Sequence, residues 1–347
     1  MYIRKIVVAI LLLGVVLGLF FVYRVYTAIF APNTGFNNEE AYVYVPTDAG
    51  FPEVREQLEP LLKNSSSFEK VAEKKGYAAN PRPGKYIIKK GMSNNDIVNT
   101  LRSRNTPVMV SFNNQETLED LAGRIATQIE ADSVALLEVF EDNAFLDSIQ
   151  LDKNEALSLY IPNSYEFFWN TSAEEFRERM LKEYDRFWNE ERLAEAKRLN
   201  LDKEEVITLA SIVQKETTRV DERPRVAGVY LNRLRKNILL QADPTVIYAI
   251  KKHTGDFDTV IKRVLYKDLE IDSPYNTYKY AGLPPGPIAM PDISSIDAVL
   301  NPERHDYYYF VANINKPGYH KFSKTLAQHN ANKREYVNWL NSQSVHR

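Results

Sequence analysis

This chain of 347 residues contains no cysteine. That absence removes thiol nucleophiles, thiolate metal sites and disulfides from consideration. It also suits an oxidising compartment, where stray thiols would pair. Histidine is scarce: there are five, with no H-E-x-x-H or related spacing, so no zinc signature is present. Neither sign of charge dominates. The net charge is −2, and no basic stripe marks a nucleic-acid surface, so no nucleic-acid partner is expected. No internal repeat and no low-complexity tract stands out. Beyond the N-terminal segment, no apolar run is long enough to cross a membrane.

What is present begins with Ile6 to Tyr23, 18 residues without a charge. As a helix this run spans ~27 Å, about one hydrocarbon core. Arg4 and Lys5 precede it and Arg24 follows, so the positive-inside rule expects the N-terminus in the cytoplasm and the rest of the chain outside. A cleaved signal peptide is the competing reading. Its apolar core would be shorter, and the stretch before Ala31 is a poor small-x-small site, so an uncleaved single-pass anchor in the cell (inner) membrane is expected.

The length allows two or three compact domains. The fold class expected is α+β: residues 1–5 in the cytoplasm, a transmembrane helix over 6–23, a linker over 24–40, a small α+β module over 41–106, and a mixed α/β domain over 107–347. In the module, Tyr42–Val45 and Gly84–Ile88 read as strands. Phe51–Leu62 and Ser67–Lys75 read as helices, and Ser93 caps a third helix carrying Ile97, Val98 and Leu101. Two strands with paired short helices resemble a LysM-like glycan-binding module; a spacer that only packs on its neighbour fits the same pattern. Further on, Val108–Phe112 reads as a strand, and 117–130, 132–142 and 173–199 as helices. The last carries an apolar stripe at Phe176, Met180, Tyr184 and Phe187 under a charged face.

Glu216 is the candidate with chemical content. It ends the run Leu209-Ala210-Ser211-Ile212-Val213-Gln214-Lys215-Glu216-Thr217. At ~100° per residue it shares a face with Leu209, Ile212 and Val213, while Lys215 turns away. A carboxylate among apolar side chains loses hydration and its pKa rises, which is what a general acid needs near neutral pH. A structural ion pair with Arg219 or Arg223 explains the same placement.

Downstream, Leu240 to Tyr248 opens polar at a turn, with Asp243 read as an N-cap and Pro244 as the first helical residue. Residues 273–288 hold four prolines and two glycines around Tyr, Asn and Thr. Such a stiff loop suits an acetamido sugar; a structural Ω-loop is the alternative. His329, after the aromatic strand at 307–312, is a hydrogen-bonding candidate or a structural residue.

Six segments keep their order: ASIVQKET at Ala210, ERPRVAGVYLNRL at Glu222, LQADPTVIY at Leu240, YNTYKYAGLPPGPIAMP at Tyr275, YYYFVA at Tyr307 and HKFSKTLAQHN at His320. In these the chain resembles the YceG-like (MltG) endolytic murein transglycosylases. Tyr160 to Phe167 is a looser match, with Asn163 and Ser164 where the family has an acid and a threonine. The resemblance implies a membrane-anchored lytic transglycosylase that cuts nascent peptidoglycan between N-acetylmuramic acid and N-acetylglucosamine. It leaves 1,6-anhydro ends and needs no cofactor. The implied catalytic residue is Glu216, the second acidic position of the family's E-K-E-T; the first is Gln214 here, ~160° away on the helix. Gln241, Asp243, Thr245, Asn276, Thr277, Tyr278 and Gly282 are the candidates to grip the glycan. Peptidoglycan glycan strands, the cell membrane and peptidoglycan synthases are the implied partners. A hydrolytic muramidase and a non-catalytic peptidoglycan-binding scaffold are the rival readings.

Overall fold

The structure is a computed structural model that describes residues 2–342. It is mixed α+β and divides into two compact units.

The first unit begins with α1 (Tyr2–Phe30), a helix long and apolar enough to cross a membrane, with every side chain of its apolar run exposed. α1 continues past Tyr23, so the linker read from residue 24 starts inside a helix. The extension is held because Asn94 Nδ2 donates to the Ala28 carbonyl at 2.8 Å and Ile29 packs on the core below. Then come β1 (Glu40–Val45), α2 (Phe51–Leu58), α3 (Ser65–Lys74), β2 (Gly84–Lys89) and α4 (Asn94–Ser103). β1 and β2 pair antiparallel with Val43 opposite Tyr86 and Val45 opposite Gly84. Alternation turns Val43, Val45, Tyr86 and Ile88 inward onto Val54, Leu58, Phe68, Ile97 and Leu101. α2 stops near Pro60, where a short 3₁₀ turn takes over. Ser93 caps α4, as its sequence suggested, and the structure adds a reciprocal capping box with Asp96.

β3 (Pro107–Phe112) pairs with β4 (Asn163–Phe168), and the division between the units passes through both strands. Between them lie α5 (Leu118–Ala126), α6 (Ser133–Phe140) and α7 (Asn143–Ser148). After β4 the second unit continues with α8 (Ala173–Phe187) and α9 (Glu190–Leu199). One helix over 173–199 was expected. It breaks because Asn189 turns extended and its side chain accepts from the Arg192 N–H, starting a new helix.

Next come α10 (Lys203–Glu216), α11 (Arg223–Arg235), α12 (Asp243–Thr254), α13 (Ile293–Leu300), β5 (Tyr309–Ala312), β6 (His320–Ser323) and α14 (Leu326–Ser342). α10 is the central helix: all eight residues from Val206 to Val213 are buried, so it is covered on every side. α11 and α13 pack against it. Contact with the following segments is close. At Gly228 of α11, a Cβ would come within 2.6 Å of the Glu303 carbonyl oxygen, so only glycine lets that backbone in. β5 and β6 pair antiparallel with Phe310 opposite Phe322.

Candidate active site

α10 sets the position of Glu216. Its start is fixed by a capping box between Asp202 and Glu205, and Glu216 is its last residue. Leu209, Ile212 and Val213 are fully buried on the Glu216 side. Lys215 faces away and pairs with Glu116 at 2.5 Å, as the helical phase predicts. Gln214 is committed elsewhere: its Oε1 accepts from the Asp292 N–H and from Ser295 Oγ, clamping the start of α13.

The Glu216 carboxyl is only partly exposed. Burial, the largest influence, pushes its pKa to about 7, and the nearby Asp243 charge pushes the same way. A hydrogen bond from Tyr230 and the charges of His320 and Arg233 pull it down. The helix C-terminus, with its partial negative charge, also disfavours the carboxylate. Neither arginine weighed from the sequence neutralises it. Arg219 lies over the Tyr319 ring at 5.0 Å, and Arg223 binds Ser294 and Asp292.

Three residues in direct or electrostatic contact with Glu216 escaped the sequence reading. Tyr230, on α11, donates its hydroxyl to Glu216 Oε1 at 2.7 Å. It is buried, and Phe310 of β5 meets its ring edge-on at 5.9 Å, so the donor is fixed. Arg233, one turn further, spends Nε on the Tyr308 carbonyl at 2.6 Å and Nη1 on the Leu239 and Leu240 carbonyls at 3.0 and 2.8 Å. His320, at the start of β6, is held by Glu222. Its N–H and ring Nδ1 reach the Glu222 carboxylate at 2.8 and 2.7 Å, and Thr217 Oγ1 donates at 3.2 Å. Burial pushes Glu222 upward, but the His320 and Thr217 hydrogen bonds outweigh it and hold the carboxyl below its ordinary range. Glu216 and Glu222 thus sit close in sequence with opposite protonation tendencies. All three missed residues lie inside the quoted motifs; their spacing gives no hint of convergence.

Tyr230 yields a direct expectation. Tyr230→Phe removes a donor that stabilises the ionised carboxylate, so the pKa of Glu216 should rise further. Any activity that needs the acid form should then persist to higher pH while kcat falls about tenfold from lost positioning. A pH–rate profile of the variant measures both.

The second group surrounds the α12 turn. Asp243 is not the N-cap expected from its sequence. Ala242 holds that place, Asp243 is the first helical residue, and its carboxylate accepts the Tyr278 hydroxyl at 2.5 Å. Gln241 is exposed with φ +49° and donates its N–H to the Thr277 carbonyl at 3.0 Å. Thr245, Asn276 and Thr277 are buried. The Thr245 and Thr277 hydroxyls bond each other at 2.8 Å, and Thr277 Oγ1 also accepts the Ala242 N–H. Asn276 Nδ2 donates to the Leu269 and Ile271 carbonyls, both at 2.8 Å, and its Oδ1 accepts the Tyr278 N–H at 3.0 Å. These three residues build the turn from inside. Gly282 adopts φ +91°, which a side chain would strain. Of the seven expected binding residues, Gln241, Asp243, Tyr278 and Gly282 keep some exposure. His329 stacks on Tyr309 at 5.2 Å and its Nδ1 is buried without a partner among the described residues; Arg233 lies over the same Tyr309 ring.

The arrangement offers an acid poised near neutrality, a fixed phenol donor and the flanking basic groups of Arg233 and His320. Known proteins resemble the chain over most of its length. The chain is 33% identical over 298 residues to the endolytic murein transglycosylase of Bacillus subtilis, covering 81% of this chain and 80% of that protein. It is 29% identical over 333 residues to the protein of the same name from Streptococcus pneumoniae, covering 87% of this chain and 59% of that longer one. In structure it is similar to a YceG-like protein of Listeria monocytogenes, with a TM-score of 0.57 and 30% identity over 85% of this chain and 99% of that one. The YceG-like family matches residues 43–335, most of the chain, and the chain belongs to that family.

Proposed function

We propose that this protein is an endolytic lytic transglycosylase that cleaves peptidoglycan strands between N-acetylmuramic acid and N-acetylglucosamine. The observation that carries the reading is the Glu216 carboxyl, held by Tyr230 with a pKa of about 7. In its protonated form Glu216 donates to the glycosidic oxygen as the C1–O bond breaks. The substrate's acetamido group stabilises the cationic centre. The Glu216 carboxylate then takes the proton of the C6 hydroxyl, O6 bonds to C1, and the 1,6-anhydro ring closes without water. Gln241, Asp243, Tyr278 and Gly282 contact the glycan, on a turn held by Thr245, Asn276 and Thr277.

One group serves in turn as acid and base, and the base form is made by the first step. Only the alkaline limb of the pH profile therefore belongs to Glu216, and kcat/KM should fall as pH rises through about 7. A hydrolase with two carboxylates would add water and show two limbs. Incubating the purified full chain with uncrosslinked glycan and weighing the products separates these. Anhydro-muramic ends are expected; reducing muramic ends would assign the chain to the hydrolases, with Asp243 the second carboxylate to examine.

The anchor α1 supports work at a membrane, with the N-terminus cytoplasmic and the chain after α1 outside, where nascent strands and their synthases meet. The order strand, helix, helix, strand over β1 to β2 supports a LysM-like role in gripping glycan.

A further inference from the structure

A cavity of about 780 Å³ opens in the first unit between the end of α1, the segment after it, α3 and the start of α4. Arg24, Lys70, Lys74 and Lys75 line it, and no Asp or Glu does. Lys75 is held by the Asn95 and Asn99 side-chain carbonyls, both at 2.6 Å. Arg24, Lys70 and Lys74 make no ion pair among the described residues. Like charges gathered in one concavity repel each other, and an anion between them relieves that repulsion.

The depth of the cavity says where the anion comes from. Arg24 is the first charge after the apolar run, and the helix rises only ~9 Å from there to Phe30. Tyr23, Tyr26 and Phe30 are exposed on this last stretch, at 63%, 61% and 52%. Amphipathic aromatics at the end of a membrane helix settle at headgroup level. On its α1 side the cavity is lined by Val25, Ala28 and Ile29 beside Arg24 and Thr27. With α1 as a membrane span, Arg24 stands nearest the acyl region and Ile29 ~7.5 Å further out, so the cations face a concavity at headgroup depth with apolar side chains beside them.

We propose that this cavity binds the phosphate of an anionic phospholipid headgroup. The lysine ammonium groups and the Arg24 guanidinium take the phosphate oxygens, and Val25 and Ile29 pack beside the headgroup. The Asn94 bond to the Ala28 carbonyl keeps the α1 wall of the site in place. Bound lipid would fix the small unit against the bilayer surface. The proposal rests on α1 as a membrane span, which membrane extraction at high pH tests by itself; the binding assay below does not depend on it or on glycan cleavage.

The detergent-solubilised full chain is titrated calorimetrically with dihexanoyl phosphatidylglycerol, dihexanoyl phosphatidylcholine and sodium phosphate. Saturable binding of the phosphatidylglycerol alone is expected. The triple variant Arg24→Gln, Lys70→Gln, Lys74→Gln should bind it about tenfold or more weakly, with an unchanged unfolding midpoint. Equal binding of both lipids by the wild-type chain overturns the proposal without any variant. So does wild-type affinity in the triple variant. Inorganic phosphate bound as tightly as the anionic lipid overturns the lipid assignment.

Discussion

Glu216→Gln is expected to reduce glycan cleavage by about 10³-fold or more, because one substitution removes both the acid and the base. The amide nearly matches the carboxyl in shape and still accepts the Tyr230 hydroxyl, so the site should keep its geometry. Wild type and variant are compared on uncrosslinked glycan, with the released anhydro ends quantified. Equal digestion by the two would rule out Glu216 as the proton donor and return it to a structural role.

The same variant should be more stable than wild type at alkaline pH. The pKa of Glu216 rises from 4.5 to about 7 in the folded chain. Between those values the unfolded chain releases a proton that the folded chain retains, so wild-type stability falls as pH rises through this window. Above about pH 7 the loss is complete, on the order of 3 kcal/mol. Glutamine does not titrate and avoids it. Thermal unfolding of both proteins at pH 5 and pH 8 tests this: the gap in favour of the variant should open with rising pH. A gap that stays constant would mean the carboxyl is not held neutral by burial.

Arg233→Met should cost the second unit on the order of 3 kcal/mol and abolish activity with it. The guanidinium reaches three buried carbonyls, those of Tyr308, Leu239 and Leu240, and so ties α11 to the segments before β5 and α12. Methionine fills similar space but leaves those acceptors bare in a dry environment. Arg233→Lys should rescue little, because one ammonium cannot reproduce the planar fork across three acceptors. Calorimetric unfolding of the second unit measures the loss. A near-normal midpoint for Arg233→Met would show that water replaces the guanidinium and that the contacts are not structural.

Local rules made several parts of the molecule readable in advance. The uncharged run Ile6–Tyr23 specified a helix of membrane length through composition alone. Ser93 announced the start of α4, since a capping box is a contact within four residues. The phase of Glu216 with Leu209, Ile212 and Val213, and the outward turn of Lys215, followed from helix geometry. The break at Asn189 was equally local; the continuing charged pattern masked it.

What the sequence by itself determined was therefore the element carrying Glu216 and the side on which it lies. The tertiary structure decided what that carboxyl meets. Tyr230 comes from the next helix, His320 from a distant strand, and Glu222 holds His320 in place. Tertiary packing also turned Thr245, Asn276 and Thr277 inward to bond their own turn, while leaving Gln241, Asp243 and Tyr278 partly open. A hydroxyl or amide has the same composition in either orientation. Helical periodicity constrains neighbours a few residues apart, whereas the pKa of a buried acid depends on groups brought within a few ångströms by the fold, wherever they stand in the chain.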